Sequence, residues 1–527
     1  MNENKVFILK TEVGAYPDPP FHPSEHYPEI DIDEIDKGNK IYGLVRETLH
    51  GLGMDHDNFG TPLWNPFKEL IKPGDKVVLK PNLVFDGHGG GRQGVEAMIT
   101  HASLLRPVID YILKASQGKG RITICDAPIQ SASWDTLIKQ NHYQALVDYF
   151  KNKDIHIGLM DLRNVRSFCN KYGGIEKTIE LSGDPMGNCI VDLDKQSCFT
   201  PIASDSRKLE ITNYPPGIVS QHHDNTKNEY LISRTVLESD VFINLPKIKT
   251  HKKAGVTLSL KNVIGIISDK SWIAHHRRGS IYRGGDEFDT LPLLYRLRRS
   301  LIHLFRDSKV GVILLSYFFT PSKKVLSKLK GLLKTKSNQS THDAISQLQG
   351  HKTIIITEGS WYRNDTLWRT IVDLNRCLFY ADNTGRLHED KQRRYFTLLD
   401  GIVAMEEDGP MNGNPKSAGC LAAAYNPVVS DYAVASIMGI DPDKIPSIRE
   451  CFKLVKYKLI NFTSEDIEAD SNYSFFKNVD LLDWKDSLKF IPPRTWQGHV
   501  ERKGFQGESY NSTPHFQLRE FNHICKE

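Results

Sequence analysis

Short apolar segments that alternate with amphipathic ones are the feature that most restricts how this chain folds. Residues 6–9, 75–85, 121–125 and 155–160 are apolar segments with the length of buried strands. The intervals between them carry apolar residues at helical spacing, with a single helix predicted for residues 134–150. Further strands are predicted at residues 241–245, 352–357 and 421–424. Strands that alternate with helices are typical of βαβ units, whose strands are parallel. The pattern therefore predicts an α/β protein with doubly wound, mostly parallel sheets and helices on both faces.

The length of 527 residues exceeds what one hydrophobic core usually organises, so we expect two lobes or one domain with large insertions. The predicted parts, in order, are an N-terminal α/β part (1–160), a mixed, hairpin-rich β insertion (161–235), the core motif strand with a loop over the site (236–290), a basic amphipathic helical insertion with a linker (291–345), a C-terminal α/β part (346–440) and a C-terminal extension (441–527).

Composition excludes several classes of protein. The net charge of +4 is too small for a nucleic-acid binder of this length, so no nucleic-acid partner is expected. The eight cysteines form no C-x-x-C pair, so no iron–sulfur cluster is expected. The N-terminus has the pattern of a strand and not of a secretion signal, and no apolar run reaches the roughly 18 residues of a membrane span. A cytoplasmic location is the expectation.

Residues 244–265, NLPKIKTHKKAGVTLSLKNVIG, are the stretch most suggestive of a functional site. Pro246 ends an apolar run, and Lys247, Lys249 and His251 follow at alternate positions. In an extended chain all three side chains point to one side. A cationic fork beside a titratable ring suits a phosphate, a carboxylate or an enolate.

The next segment, residues 256–264, fits either a strand or a helix, and in both Thr257 and Lys261 share a face. We favour the helix, because its N-terminus would direct free backbone N–H groups at an anion held by the lysines.

Polar residues also follow other predicted strands. Lys80 and Asn82 flank Pro81 near the end of one strand, Asp126 ends another, and Glu406 and Asp408 follow a third. The carboxyl ends of strands in open α/β sheets are where ligands bind. We therefore expect these groups to converge with the lysine stretch on one cleft.

These residues suggest an enzyme that acts on a small anionic metabolite, phosphorylated or carboxylated. Lys249, Lys261 and His251 are the predicted catalytic residues, with His251 moving a proton. The predicted anion-binding residues are Lys80, Asn82, Lys247, Thr257, Asn262 and His101. The cofactor is unknown, and Asp126, Glu406 and Asp408 are candidate ligands for a divalent metal.

The same motifs resemble a known family. Lys80-Pro81-Asn82, residues 245–251, Lys261-Asn262 with Gly265, and residues 406–413 followed by Asp431 are similar to bacterial and archaeal proteins with domain of unknown function 362. Many relatives carry ferredoxin-type cysteine pairs or an export signal, and this sequence has neither. Longer relatives accompany surface-polysaccharide genes, so the resemblance implies that pathway as a context and implies no particular reaction.

Two alternatives stay open. Residues 291–336 are rich in lysine and arginine among apolar residues, which is typical of a helix on an anionic membrane surface or of an insertion packed on its own lobe. If this segment lies on a membrane surface, the protein would be a peripheral, non-catalytic scaffold that binds an anionic lipid or glycan intermediate. A third hypothesis is covalent chemistry by one desolvated lysine, such as a Schiff base.

Overall fold

A computed structural model of the chain describes residues 2–170, 175–215, 217–289, 301, 305, 311 and 358–505. The strands are β1 Lys5–Lys10, β2 Lys76–Pro81, β3 Arg121–Asp126, β4 Ile157–Asp161, β5 Val165–Cys169, β6 Ile175–Glu180, β7 Asn188–Asp192, β8 Leu209–Glu210, β9 Glu229–Ser233, β10 Val241–Leu245, β11 Lys247–His251, β12 Gly255–Thr257, β13 His276–Arg277, β14 Arg394–Glu406, β15 Asn414–Lys416, β16 Cys420–Ala424 and β17 Glu468–Ser471. The helices are α1 Ile41–Gly51, α2 Gly91–Met98, α3 Leu105–Ser116, α4 Trp134–Gln140, α5 Tyr143–Lys151, α6 Val219–His222, α7 Arg234–Leu237, α8 Ser259–Asn262, α9 Leu367–Tyr380, α10 Pro427–Met438 and α11 Pro446–Arg449.

One large mixed sheet organises the described part of the chain. Its order is β17-β1-β16-β14-β10-β2-β3-β4, and β11, β12 and β15 are attached beside β14. The central strands β14, β10, β2, β3 and β4 are parallel, whereas β16 runs antiparallel to both β14 and β1. The α/β fold predicted from the alternation is confirmed.

Helices cover both faces of this sheet. In β1, Val6 and Ile8 belong to one hydrophobic core and Phe7 and Leu9 to another, because successive side chains of a strand point to opposite faces. Helices α1, α3, α4 and α5 supply the Phe7 core, and α9 and α10 supply the Val6 core. The burial of both faces explains why the strands read as continuous apolar runs.

The sheet joins segments that are far apart in sequence. β1 pairs with β16 on one side and with β17 on the other. The N-terminal strand and the C-terminal extension therefore share the sheet that carries β2, β10 and β14.

Two further predictions can be compared with the structure. The single helix predicted for residues 134–150 is wrong: it is divided into α4 and α5 at His142, whose φ is 64°. In the predicted hairpin-rich insertion, β5 pairs with β6 and β7 with β9, both antiparallel. The strand predicted at residues 352–357 lies outside the described residues, as does nearly all of the basic segment 291–336.

Within the described ranges, every helix is too short or too polar to cross a membrane.

Candidate functional site

The carboxyl ends of β2, β3 and β10 lie side by side at one edge of the sheet. In the register of β2 and β10, Asn244 is opposite Lys80, and Asp126 ends the next strand. After Pro246 the chain continues as β11, which forms a hairpin with β12 and pairs with β14. Adjacent parallel strands thus bring three of the predicted strand-end motifs together.

Asn262, the last residue of α8, lies at the centre of a buried network at this edge. Its Nδ2 donates to the Lys80 carbonyl at 3.0 Å and to Asn244 Oδ1 at 2.7 Å. Its Oδ1 accepts a hydrogen bond from Asn82 Nδ2 at 2.7 Å. The amide is bonded on both its oxygen and its nitrogen, so it fixes α8 against β2 and β10.

Lys80 and Asp126 form a buried ion pair below α8. Lys80 Nζ lies 2.8 Å from Asp126 Oδ1 and donates to the Pro81 carbonyl at 2.7 Å. Asp126 Oδ2 accepts from the Leu83 N–H at 2.7 Å. A Cβ atom on Gly265 would come within 1.9 Å of Asp126 Oδ1, so glycine is what allows the backbone of the short 3₁₀ helix Val263–Ile266 to pass directly over the ion pair.

Lys249 is fully buried, and its ammonium is held by neutral acceptors. Nζ donates to Asn82 Oδ1 at 2.7 Å and to the carbonyl of Met98, the last residue of α2, at 2.6 Å. A cation at a helix C-terminus is favourable. Even so, burial and then the charges of Lys261 and Lys247 hold the Lys249 pKa well below its ordinary value.

Lys247 has a counter-charge in the middle of β14. Its Nζ lies 2.9 Å from Asp400 Oδ2, and both side chains are fully buried. Tyr16 donates to Asp400 Oδ1 at 2.6 Å and stacks on His101, whose backbone N–H also donates to Asp400. Burial, followed by the charge of Lys247, holds the His101 pKa well below its ordinary value. Lys247 and His101 are therefore bonded within the protein and lie apart from any accessible surface.

His251 ends β11 with one ring nitrogen fixed and the other without a partner. The backbone N–H groups of Lys253 and Ala254 donate to its Nδ1 at 3.0 and 3.1 Å, so the neutral ring carries its proton on Nε2. No residue of the described ranges bonds to Nε2. Burial and then the charge of Lys261 hold the His251 pKa well below its ordinary value, so the ring is neutral.

The segment after β12 contains both structures that the sequence left open. β12 ends at Thr257, and α8 begins two residues later. The backbone N–H groups of Ser259 and Leu260 donate to the Asp431 carboxylate at 2.7 and 3.0 Å. The expectation that the helix N-terminus is free for an anion is wrong, because Asp431 of α10 already caps it.

Lys261 and Lys270 supply positive charge at this edge, and neither makes an ion pair with a described residue. Burial, then Lys270 and Lys253, lowers the pKa of Lys261 to about 7. Burial lowers the pKa of Lys270 to about 8, although Asp126 opposes the shift. Together with Lys249, His251 and His275 they form what we call the Lys/His cluster.

Two buried polar atoms of the cluster region lack hydrogen bonds to described residues, Thr257 Oγ1 and His275 Nε2. Thr257 is paired with Lys249 across the β11–β12 hairpin, so both side chains lie on one face. Burial, then Lys253 and Lys261, holds the His275 pKa well below its ordinary value. Unpaired donors and unpaired positive charge coincide in one place.

The three predicted metal ligands do not come together. Asp126 pairs with Lys80, Glu406 Oε2 with Lys416 Nζ at 2.9 Å, and Asp408 with Arg494. Glu406 also accepts from the Ile491 N–H, so these acids tie the C-terminal segment to the end of β14. Across the described residues, no group of three or more His, Cys, Asp or Glu side chains could hold a metal ion. The three candidate metal ligands therefore do not form one shared site, and a metal bound by one of them stays a prediction.

Three residues of the region escaped the sequence reasoning, Tyr16, Asp400 and Lys270, whereas His275 lies in the segment predicted as a loop over the site. An acid in the apolar run of β14 needs a buried partner, so Asp400 carried a usable signal. Tyr16 lies in a segment with no periodicity and carried none.

A cavity of about 400 Å³ lies at the opposite edge of the sheet, where β14 begins, and Lys391, Arg394 and Tyr425 are among its lining residues. It includes no residue of the Lys/His cluster. The cluster is therefore located by its charge and its unbonded atoms, and not by cavity size.

Comparison with known protein families identifies the family of this chain. A thylakoid-associated protein of Synechocystis is 40% identical over 52 residues, which are 10% of this chain and 16% of that relative. A crystal structure from Thermotoga maritima aligns with a TM-score of 0.27 and 11% identity over 73% of this chain and 54% of that one, too low a similarity to support an argument. The family described as domain of unknown function (DUF362) matches residues 77–183 and 200–436, more than half of the chain. The chain therefore belongs to the DUF362 family.

Proposed function

We propose that this protein is an enzyme that binds a small phosphorylated or carboxylated metabolite at the Lys/His cluster. One observation carries the proposal: Lys261 lies within electrostatic range of both Lys249 and Lys270, and the two acids that act on Lys270, Asp126 and Asp161, are already paired with Lys80 and Arg163. Uncompensated buried cations are costly, and a bound anion offsets that cost.

The unbonded atoms support the same proposal. Thr257 Oγ1 and His275 Nε2 are buried without partners among the described residues, and an anion with several acceptor oxygens satisfies such groups. Lys261 Nζ likewise has no described partner. These groups are available to a ligand, whereas Lys80, Lys247 and His101 are engaged within the protein.

His251 suits the role of proton donor or acceptor. Its Nδ1 accepts two backbone hydrogen bonds, which fix the ring and leave the proton on Nε2. A neutral imidazole with a fixed tautomer can donate that proton to an oxygen of the substrate.

Anion binding is tested by calorimetric titration with inorganic phosphate and, separately, with malonate. Lys261→Met is expected to weaken binding by roughly 10- to 100-fold, since a hydrogen bond to a charged group contributes about 1.5–3 kcal/mol. Lys119→Met is the matched control: the same change, at an exposed lysine before the amino end of β3. Equal affinity of the two variants, or no binding of either anion by the unmodified protein, would refute the proposal.

Turnover is tested by incubating the protein with a polar-metabolite extract and measuring depletion by mass spectrometry. His251→Asn keeps an acceptor for the two backbone N–H groups and removes Nε2. We expect the unmodified protein to consume an anionic compound that this variant leaves unchanged. Surface-polysaccharide synthesis stays a prediction, so sugar phosphates are the first compounds to compare.

A further inference from the structure

We infer that Lys261 is a nucleophile that forms an imine with the carbonyl carbon of an anionic aldehyde or ketone. The inference rests on the proposed function, because the Lys/His cluster must bind the anionic part of the same substrate. It adds the chemical class of the substrate and the bond that the protein makes.

Three other lysines at this edge are unsuited to attack a carbonyl, and a fourth, Lys270, is buried and has a higher pKa than Lys261, about 8. Lys80 is paired with Asp126, and Lys247 with Asp400, so an ion pair occupies each of these amines. Lys249 donates to Asn82 and Met98 and has no exposed surface. A protonated amine has no lone pair, and a fully buried one has no path to a substrate.

Lys261 differs from them in accessibility and in its bonding. Lys261 is intermediate in exposure, whereas Lys80, Lys247 and Lys249 are fully buried, and its desolvated Nζ has no acceptor among the described residues. Five groups surround it electrostatically, all cationic or neutral: Lys249, His251, Lys253, Lys270 and His275.

This environment favours the neutral amine. With a pKa of about 7, roughly half of the Lys261 side chains carry a lone pair at neutral pH. An ordinary lysine, with a pKa near 10.4, is deprotonated in fewer than about one molecule in a thousand at that pH. The surrounding positive charges also attract the phosphate or carboxylate of the substrate, so the substrate binds beside the reactive amine of Lys261.

The step balances without an oxidant or a reductant. The Nζ lone pair forms a bond to the carbonyl carbon, and the π electrons of the C=O bond move to oxygen, which accepts a hydrogen bond from the Nε2–H of His251. One Nζ proton then passes to that oxygen to give a carbinolamine. The second Nζ proton passes to the hydroxyl group, and water leaves as the C=N bond forms. Amine and carbonyl compound give imine and water.

Borohydride trapping tests the inference, with pyridoxal 5′-phosphate and dihydroxyacetone phosphate as probes. Each probe is added at one equivalent at pH 7 to the full chain, the imine is reduced, and the modified peptide is identified by mass spectrometry. We expect one adduct per chain at Lys261, the same adduct in Lys119→Met, and at least a tenfold loss in Lys261→Met. Lys261→Arg is a second test, since its guanidinium keeps the charge and forms no imine.

An adduct spread over surface lysines, or equal labelling of Lys261→Met, would overturn the inference. Binding of inorganic phosphate separates this failure from failure of the proposed function. If phosphate binds and Lys261 is not trapped, only the imine inference fails. If phosphate neither binds nor protects Lys261 from labelling, the anion site itself is refuted.

Discussion

Replacing Asp400 by Asn is expected to destabilise this protein more than almost any other isosteric change. The Asp400 carboxylate is fully buried and accepts from Lys247 Nζ at 2.9 Å, from Tyr16 Oη at 2.6 Å and from the His101 N–H at 3.0 Å. Asparagine keeps the shape of the side chain but removes its negative charge. Its NH₂ group also replaces a carboxylate oxygen, so it faces hydrogen-bond donors where an acceptor is needed. Lys247 then has no counter-charge.

Breaking a buried ion pair on one side costs about 3–5 kcal/mol of unfolding free energy. Here the loss of unfolding free energy has an upper limit, because Lys247 can lose its proton instead of remaining a buried cation. Deprotonating a lysine with an unfolded-state pKa near 10.4 at pH 7 costs about 4.6 kcal/mol, and this cost falls by about 1.4 kcal/mol for each unit of pH increase. We therefore expect a loss of about 3–5 kcal/mol at pH 7 that becomes smaller at pH 8 and 9.

Urea unfolding followed by far-UV circular dichroism at pH 7, 8 and 9 measures the effect. The double variant Lys247→Met/Asp400→Asn is expected to be more stable than Asp400→Asn alone, since it removes the uncompensated cation. Asp57→Asn, at an exposed acid, is the control and should change stability by less than about 0.5 kcal/mol. A loss below about 1 kcal/mol for Asp400→Asn, or one independent of pH, would refute the reasoning.

Three further predictions concern the site. Gly265→Ala places a Cβ within 1.9 Å of Asp126 Oδ1 and should cost about 1–3 kcal/mol in urea unfolding, whereas Gly89→Ala, with nothing within 4 Å, should be nearly neutral. Asp431→Ala removes the acceptor of two α8 N–H groups and should cost about 1–3 kcal/mol; a change below about 0.5 kcal/mol contradicts the capping role. Lys261→Met should raise the melting temperature of the protein without ligand. The folded-state pKa of Lys261, about 7, lies below the unfolded value of 10.5, so Lys261 lowers the stability of the folded protein. This destabilisation is complete below pH 7 and declines as the pH rises toward 10.5. A gain that grows with pH would contradict this sign.

Local periodicity predicted much of the architecture. The runs that became β1, β2, β3, β10 and β16 were recognisable because strands buried on both faces are continuously apolar. The polar ends of β2, β3 and β10 were predicted to converge, and adjacent parallel strands bring them together. The break between α4 and α5 was missed, since it depends on a left-handed residue, His142, that the apolar pattern does not mark.

The sequence alone determined where the cations are. Lys247, Lys249 and His251 lie at alternate positions in β11, as the extended pattern after Pro246 predicts, and all three are buried. It also marked Lys261 and Asn262 as polar residues in an apolar setting. These features are local, so they can be recognised from spacing.

Only the tertiary structure decided which cations are neutralised. Asp400 is 153 residues from Lys247, and Asp126 is brought to Lys80 by the pairing of β2 with β3. Glu406 and Asp408, predicted to face the lysines, are instead bound by Lys416 and Arg494. Counter-charge depends on contacts distant in sequence, and no periodicity encodes those contacts. Lys261 emerged as the unpaired, partly exposed amine because the fold supplied acids to Lys80 and Lys247 and neutral acceptors to Lys249.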